Sequence, residues 1–408
     1  MRVLLLLGCA GLLSAADLYI RNVMYIDVAS GSAPYRTNVW IAGGRVQAQG
    51  ALVRAPAGAQ LLDGSGKYLM PGLWDAHFHL IRDDSDPRPA LRQLLEHGIT
   101  SVRDMGSVPQ SIVSLRDAIA AGKVDGPRLM VAGAMLDGPP SKAGSTMLIA
   151  AGAAQATAEV QRMAALRVDF IKVQQNLSQD AYAAVTAKAN AEKLPVMGHV
   201  PDSLTVSEAI QAGQRTVEHL TGVLVACSSR ESELRERIAK GVPAVDFGPV
   251  GETGRLALDS YSEQKAAQMF RQWKDAYFVP TLVWEKAFLL APSTRRRPET
   301  AAMMKEYWSK GIALVRAMHR AGLRFVAGTD GGDNFTRPGS ALHQELELLV
   351  EAGLTPLDAL RAATVHAAAM MGRQLPPSDF VLLGANPLDD IRNTRLVEAV
   401  IVNGRRMR

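Results

Sequence analysis

The sequence predicts an α/β protein: a (β/α)₈ TIM barrel with a small β-sandwich domain that is formed from both chain ends. Three observations support this fold class. Short apolar segments alternate with amphipathic helical segments between residues 71 and 372. Short strand patterns separated by Gly and Ser turns occur at both ends of the chain. The length of 408 residues suits one barrel, typically ~250 residues, with a smaller domain beside it.

The division into domains follows these patterns. Residues 17–70 form the first part of the predicted sandwich and residues 373–408 form the second part, because neither end has enough apolar surface to stand alone. Residues 71–372 form the predicted barrel, since eight strands that alternate with helices can close into one. The eight candidate strands are Gly72–His77, Ser101–Arg103, Arg128–Ala132, Asp169–Val173, Val196–His199, Arg215–His219, Phe278–Leu282 and Arg324–Gly328.

The first 16 residues have the pattern of a secretory signal peptide. A positive start at Arg2 is followed by the apolar run Val3–Leu7 and by small residues up to Ala16. The segment is too short to span a membrane, which takes ~20 apolar residues, and no other run is long enough. We therefore expect export to the periplasm or the medium. Two alternatives stay open: a lipoprotein anchored at Cys9, and a buried first strand.

Composition and charge narrow the function classes. Hydrophobic residues make up 48% and charged residues 21% of the chain, an ordinary globular composition. The net charge of +5 comes from 45 basic and 40 acidic residues, and the scattered basic residues predict no nucleic-acid partner. Removal of residues 1–16 would leave Cys227 alone, which excludes an intramolecular disulfide and a cysteine metal site. A homo-oligomer is compatible with the sequence.

Five candidate metal ligands fall at the ends of predicted barrel strands. His77 and His79 form a His-x-His pair at the first strand, where residues two apart face the same side. His199 ends the fifth strand, His219 ends the sixth, and Asp330 follows the eighth. Barrel enzymes carry their chemistry at these carboxyl ends, and imidazole and carboxylate groups suit Zn²⁺ or Mn²⁺.

Lys172 is the sixth candidate, because it lies on a strand that should be fully buried. Lysine is rarely buried without a partner, and a lysine that burial makes neutral is nucleophilic enough to form adducts. Each candidate also has a structural interpretation on its own: a hydrogen-bonded core histidine, a helix N-cap for Asp330, or an ion pair for Lys172. The coincidence of all six on one rim favours a functional site.

Two further residues have weaker signals. Asp104, near the second strand, is expected to form an ion pair with Arg103 or to stabilise a turn, and a role behind a metal ligand is the alternative. His343 follows the last strand and could reach a substrate, although a position near the start of a helix explains it equally well.

The motifs of this sequence resemble those of the amidohydrolase superfamily, and within it the prolidase- and imidazolonepropionase-like branch. The resemblance runs from about residue 18 to the C-terminus. It rests on the order of five motifs: Pro71–Leu80, Phe170–Val173, Gly198–Val200, Val217–Leu220 and Ala327–Asp330. One departure is a shortened segment, Gln374–Ser378, where such chains carry a Gly-rich hairpin.

The resemblance implies two divalent metal ions per chain. His77, His79 and Asp330 would hold the first ion, and His199 and His219 the second. Lys172, carbamylated by CO₂, would bridge the two ions. Zn²⁺ is the expected metal, with Mn²⁺ or Co²⁺ as alternatives.

By the same resemblance we expect a hydrolase that cleaves an amide bond by metal-activated hydroxide. Asp330 would be the catalytic proton carrier. The expected small-molecule substrate is a dipeptide, an N-acyl amino acid or a related carboxamide. A lactonase, a carboxylesterase or a cyclic-amide hydrolase with the same binuclear site is the alternative, and substrate screening would separate these. A binding protein on a degenerate barrel is the non-enzymatic alternative, although such a barrel should have lost ligands.

Overall fold

The structure is a computed structural model that describes residues 17–83, 85–241, 252–291, 298–333 and 335–408. The predicted leader 1–16, including Cys9, lies outside the described residues. All six candidate site residues lie inside them.

Strands account for both ends of the chain and for the interior of the middle region. In the described ranges the strands are β1 (Leu18–Tyr25), β2 (Tyr35–Ala42), β3 (Arg45–Gly50), β4 (Gln60–Asp63), β5 (Tyr68–Pro71), β6 (Leu73–Phe78), β7 (Ile99–Asp104), β8 (Arg128–Val131), β9 (Met135–Asp137), β10 (Met147–Ile149), β11 (Ile171–Val173), β12 (Val196–Gly198), β13 (Gln214–Glu218), β14 (Tyr277–Val279), β15 (Arg324–Phe325), β16 (Phe380–Leu383), β17 (Val397–Val402) and β18 (Arg405–Arg406).

Helices lie between the middle strands and before β16. They are α1 (Arg88–Glu96), α2 (Pro109–Ala120), α3 (Ala153–Ala165), α4 (Gln179–Ala191), α5 (Val206–Gln211), α6 (Val223–Ala226), α7 (Glu231–Ala239), α8 (Glu252–Asp259), α9 (Glu263–Gln272), α10 (Leu282–Leu290), α11 (Pro298–Arg320), α12 (Ser340–Glu351), α13 (Pro356–Ala362) and α14 (Val365–Met370), with a 3₁₀ helix at Ile391–Arg395.

Strands from both chain ends form one mixed sheet. Its order is β18-β17-β16-β5-β1-β2-β3, and β4 pairs with β1 in parallel. β5 and β16 are antiparallel neighbours, with Met70 opposite Val381. Ile20, Leu69 and Ile401 belong to the buried apolar cluster of this sheet. The two chain ends therefore share one sheet, while the sandwich arrangement and the domain limits stay predictions.

The middle region contains the parallel strands that the sequence predicts. Each of the eight candidate strands overlaps an observed one: β6, β7, β8, β11, β12, β13, β14 and β15. These strands form a three-stranded sheet, β6-β7-β8, and a seven-stranded sheet, β10-β9-β11-β12-β13-β14-β15. β9 and β10 were not predicted, because three-residue strands held by pairing with a neighbour show no apolar periodicity.

The seventh and eighth predicted strands each extended three residues too far, and the eighth ends at Phe325 and not at Gly328. The seventh strand ends at Val279 and not at Leu282. Thr281 has a φ of 49°, which turns the chain away from the strand, and Leu282 begins α10. A left-handed residue cannot continue an extended strand, and the sequence pattern gives no warning of it because threonine favours strands.

Backbone hydrogen bonds join the two parallel sheets at two places. At the first place, the Ala76 amide donates to the Ala327 carbonyl at 3.0 Å, and the His79 amide donates to the Gly331 carbonyl at 2.9 Å. At the second place, between β8 and the segment before β11, the Asp169 amide donates to the Val131 carbonyl at 2.8 Å. The carboxyl ends of strands from both sheets therefore converge on one region.

Amphipathic helices cover the parallel strands. α1 buries Leu91 and Leu94, and α12 buries Leu346 and Leu349 together with the polar residues His343 and Glu345. α5 begins with a capping box in which Thr205 and Glu208 satisfy each other's backbone amides. Among the described helices, none combines the length and the apolar character that a membrane crossing requires.

Candidate metal centre

One cavity of about 210 Å³ is lined by every predicted site residue. It lies where the carboxyl ends of the parallel strands meet. Its candidate ligands come from β6 and β11, directly follow β6, β12 and β13, or lie in the segment after β15: His77, His79, Lys172, His199, His219 and Asp330. Four more residues line it: Arg82, Met135, Gln174 and Trp284. The six candidate residues therefore lie around one cavity, although they are spread over more than 250 positions of the sequence.

The carboxylate of Asp330 is the centre of a histidine cluster. Its Oδ1 lies 3.4 Å from Nε2 of His77 and 3.3 Å from Nε2 of His79. Its Oδ2 lies 3.9 Å from Nε2 of His219. Potential ligand atoms of His77, His219 and Asp330 all lie within 4.8 Å of one another. Three imidazole Nε2 atoms thus face one carboxylate.

The opposite nitrogen of each of these rings has a hydrogen-bond acceptor. Nδ1 of His77 lies 2.8 Å from Glu218 Oε2, and Nδ1 of His79 lies 2.7 Å from the Gly106 carbonyl. Nδ1 of His219 lies 2.6 Å from Oγ1 of Thr281, whose hydroxyl donates to the Pro280 carbonyl. Since these partners accept, we assign the proton to Nδ1, which leaves the Nε2 lone pairs directed at the cavity.

Burial favours the neutral, metal-binding form of His77, His199 and His219. Burial lowers the pKa of His77 to about 4. It also lowers the pKa of His219 and of His199 well below the usual range, and the nearby Lys172 lowers the pKa of His199 further. The ring of His199 lies edge-on to that of His219, with centroids 4.9 Å apart. Neutral imidazoles are ready ligands, because no proton must leave them first.

Lys172 has no exposed surface, and its Nζ has no hydrogen-bond partner among the described residues. Burial lowers the pKa of this amine to about 8. An unpartnered buried amine is costly, and native proteins seldom tolerate one without a functional reason.

Asp330 stays ionised despite its burial. Burial alone would raise the pKa of its carboxyl group, but His77, His79 and His219 hold that pKa well below the usual range. The ionised carboxylate of Asp330 is therefore a negatively charged candidate ligand for a cation.

Backbone strain is concentrated at the site. Non-glycine residues adopt left-handed conformations at His219 (φ 55°), Leu220 (φ 58°), Thr281 (φ 49°) and Asp330 (φ 49°). Each such residue costs on the order of 1–3 kcal/mol, which the surrounding structure must offset. Two candidate ligands and the hydroxyl that orients one of them are therefore held in unfavourable conformations.

Sequence reasoning missed a buried charge network behind His77. Glu218 accepts from Nη2 of Arg103 at 2.8 and 2.9 Å and binds Nδ1 of His77, and all three side chains are buried. Burial would raise the pKa of Glu218, but Arg103 and His77 lower it below its usual range. A charged residue inside an apolar strand, the signal that identified Lys172, also marks Glu218 and Arg103.

Asp75 is a second residue that sequence reasoning missed. Its Oδ1 accepts from the Thr329 amide at 3.0 Å, and its Oδ2 accepts from the Thr329 hydroxyl at 2.6 Å. Burial raises the pKa of Asp75 to about 7. This carboxyl group ties the strand of His77 to the segment that carries Asp330, so it fixes the spacing of two candidate ligands.

Two weaker expectations are now resolved. Arg103 pairs with Glu218, so the expected ion pair with Asp104 was wrong. Asp104 instead stabilises a turn, since it accepts from the Leu80 amide and the Ser107 hydroxyl. His343 does not line the cavity; its Nδ1 lies 3.0 Å from Thr394 Oγ1.

An α/β fold whose parallel strands end in clustered His, Lys and Asp side chains is the architecture of metal-dependent hydrolases. Residues 68–406 match the model of the amidohydrolase family. The chain belongs to this family, and the predicted class is confirmed: an enzyme that hydrolyses amide bonds. A metal site is typical of the family.

The individual relatives have low sequence identity to this chain, but the similarity covers most of it. The ochratoxinase of Aspergillus niger is 23% identical over 399 residues, which cover 79% of this chain and 72% of that protein. A presumed prolidase from Bifidobacterium longum has 25% identity and a TM-score of 0.75, with coverage of 97% and 95% of the two chains. A bottromycin amidohydrolase has 24% identity and a TM-score of 0.73, with coverage of 96% and 87%. These likenesses extend over nearly the whole fold.

Proposed function

We propose that the protein is a binuclear metal-dependent hydrolase that cleaves a dipeptide, an N-acyl amino acid or a related carboxamide. The observation that carries the proposal is Lys172, a buried amine without a hydrogen-bond partner in the described structure, on the wall of a histidine-lined cavity. Two structurally similar proteins support this substrate class, because one is a presumed prolidase and the other is a bottromycin amidohydrolase.

The residues around the cavity fit a pair of divalent ions. Tetrahedral Zn²⁺ sites with bonds of 2.0–2.1 Å place neighbouring ligand atoms about 3.3 Å apart. Asp330 lies at such distances from His77 and His79, which we assign to the first ion. His199 and His219 would hold the second ion. Zn²⁺ suits these donors best, and Mn²⁺ or Co²⁺ accept the same set.

Carbamylation explains the position of Lys172. The neutral amine would add CO₂, forming an N–C bond and releasing a proton, and the product is an anionic carboxylate. An ammonium group beside two cations is unfavourable, whereas a carboxylate supplies ligand oxygens to both. The unsatisfied amine would thereby gain partners.

The catalytic chemistry is divided between the ions and the protein. When bound, the ions would polarise the substrate carbonyl and lower the pKa of a water molecule. Asp330 accepts a proton from that water as it attacks, and delivers the proton to the leaving amine. The Nδ1 hydrogen bonds of His77, His79 and His219 keep the surrounding ligand atoms in place during this transfer.

We also propose that the two parallel sheets form one closed (β/α)₈ barrel. The hydrogen bonds that join Ala76 to Ala327 and Val131 to Asp169 support closure, because they connect each outer strand of the three-stranded sheet to the other sheet. A closed barrel would explain why strand ends from both sheets surround one cavity.

The first experiment combines metal analysis with a substrate library. Protein reconstituted with Zn²⁺ and bicarbonate should saturate at two equivalents of metal, and it should hydrolyse members of a dipeptide and N-acyl amino acid library. Asp330→Asn should keep most of the metal and lose about 10²–10⁴ in kcat, since an amide cannot accept the proton. Saturation at one equivalent would reject the binuclear site. Turnover of lactones or esters without any amide would reject the substrate class.

Export is a separate proposal that rests on residues 1–16. N-terminal sequencing of protein recovered from the periplasm or medium should begin at Asp17. A mature chain that begins at Met1 would contradict export, and a lipid on Cys9 would replace cleavage after Ala16 by a lipoprotein anchor.

A further inference from the structure

Four residues line the metal cavity without being candidate ligands, and one of them is a cation. Arg82 follows the His77–His79 strand end, and its side chain is 43% exposed. Its guanidinium approaches Asp330 Oδ1 at 3.8 Å, which is an ion pair but too long for a hydrogen bond. Among the described residues, this ion pair is the only hydrogen bond or ion pair of the guanidinium. Most of its five N–H donors are therefore open to water or to a ligand.

The charge of Arg82 is unexpected at this position. Once two divalent ions occupy the cavity, a nearby guanidinium is repelled by them. The Asp330 carboxylate, 3.8 Å away, and the carbamate proposed for Lys172 supply negative charge on the metal side of the guanidinium. On its exposed side, the guanidinium can bind an anionic group of the substrate. A guanidinium binds carboxylates through two parallel hydrogen bonds, which also fixes their orientation.

The cavity also has an aromatic wall. The indole of Trp284 lies 6.4 Å from the His219 ring and stacks on Phe288, with centroids 5.2 Å apart and planes 4° apart. Phe335 meets Trp284 edge-on at 5.7 Å and is 40% exposed. Nε1 of Trp284 donates to Asp333 at 2.5 Å, which holds the ring in place. A fixed aromatic surface next to a metal ligand suits an apolar substrate group.

We propose that Arg82 binds the carboxylate of the substrate and that the Trp284 wall contacts its apolar side chain. The substrate class is then N-acyl amino acids or dipeptides with a free α-carboxylate and an aromatic or large aliphatic side chain. This inference rests on the proposed amide hydrolysis. Water adds across the C–N bond, so the products are a carboxylic acid and a free amino acid.

The test compares two substrates that share the scissile amide. N-acyl-phenylalanine carries the α-carboxylate, and N-acyl-phenethylamine lacks it. Wild-type enzyme should prefer the first about 10- to 100-fold in kcat/KM, the range expected for hydrogen bonds to a charged group. Arg82→Gln should remove that preference, mainly through KM, and should leave metal content unchanged. Arg82→Lys should keep part of it, because a point charge remains.

Arg92→Gln is the matched control, since Arg92 lies on α1 with a 75% exposed side chain and does not line this cavity. It should keep the wild-type preference. Trp284→Leu should reduce the preference for N-acyl-phenylalanine over N-acyl-alanine. If Arg82→Gln retains the carboxylate preference, or slows both substrates equally, Arg82 does not bind the carboxylate. If wild-type enzyme with two metals cleaves no amide, the proposed function fails and not merely the role of Arg82.

Discussion

Single hydrogen bonds decide which nitrogen of each histidine faces the cavity. Glu218 orients His77 and at the same time neutralises the buried Arg103. Partners of this kind usually change metal affinity by about 10- to 100-fold when they are removed. Glu218 therefore has two roles that separate experiments can distinguish.

Glu218→Gln should weaken both metal affinity and stability. The amide leaves the Arg103 charge without a buried counterion, which typically costs about 3–5 kcal/mol, and it weakens the acceptor for Nδ1 of His77. Competition with a chromophoric chelator measures the affinity, and urea unfolding measures the stability. The double variant Arg103→Met with Glu218→Gln removes the lone charge. It should recover stability without recovering metal affinity; recovery of both would show that Glu218 serves the fold alone.

If Lys172 carries the proposed bridging carbamate, Lys172→Ala should lose metal and activity, because that carboxylate would be lost. Short acids such as propionate, with excess Zn²⁺, should partially restore turnover by entering the vacated space. Propionamide has nearly the same size and is the control, since it offers no anionic oxygen pair. If propionamide restores activity as well as propionate does, or if Lys172→Ala is fully active without any additive, then catalysis does not depend on a carbamate at Lys172.

At the scale of elements, α12 positions the start of α10. Oε2 of Glu345 accepts from the Val283 amide at 2.7 Å, at the first turn of α10. Thr281, directly before that turn, accepts from Nδ1 of His219. Oε1 of Glu345 has no hydrogen-bond partner in the described structure, and burial raises the pKa of this carboxyl group to about 8. A neutral acid on α12 thus supports the helix that follows a ligand-orienting residue.

The raised pKa of Glu345 makes stability depend on pH. Below its ordinary pKa of 4.5 the carboxyl group is protonated in both states, so it carries no penalty. Between pH 4.5 and about 8 only the unfolded chain ionises, and the folded state loses relative stability. Glu345→Gln should therefore gain Tm relative to wild type as pH rises from 5 to 8. Glu351→Gln, on the exposed end of α12, should show no such trend, and a flat difference for Glu345→Gln would contradict the ionisation.

At the scale of the whole molecule, Asp379 joins the terminal sheet to the parallel strands. It accepts from Nε of Arg128, at the start of β8, at 2.7 Å, and from the Asn403 amide at 2.7 Å. Its backbone carbonyl accepts from the Gly72 amide at 3.0 Å. One buried carboxylate therefore connects three segments from both halves of the chain.

Asp379→Ala should lower the free energy of unfolding by about 1–3 kcal/mol, because two donors lose a charged acceptor. Activity of the folded, metal-loaded enzyme at low temperature should not change, since Asp379 does not line the cavity. Glu96→Ala removes only an exposed ion pair with Arg92 and should leave urea unfolding nearly unchanged. Equal effects of the two variants would argue against a linking role for Asp379.

The sequence predicted those parts of the molecule that follow from chain periodicity. The eight parallel strands were identifiable from apolar segments, and six candidate residues were identifiable because they end or interrupt those segments. The Arg103–Asp104 ion pair was wrong because consecutive strand residues face opposite sides of a sheet. Glu218 lies 141 positions from His77, and no local pattern encodes a contact over that distance.

The left-handed backbone at His219 and Asp330 has an evolutionary consequence. Glycine or asparagine would relieve the strain at both positions, so drift toward stability alone would replace the two ligands with those residues. Keeping histidine and aspartate at these positions would therefore require selection for the role of the site. In related chains, a glycine or asparagine at either position would therefore mark a lineage that has exchanged its chemistry for a more stable fold.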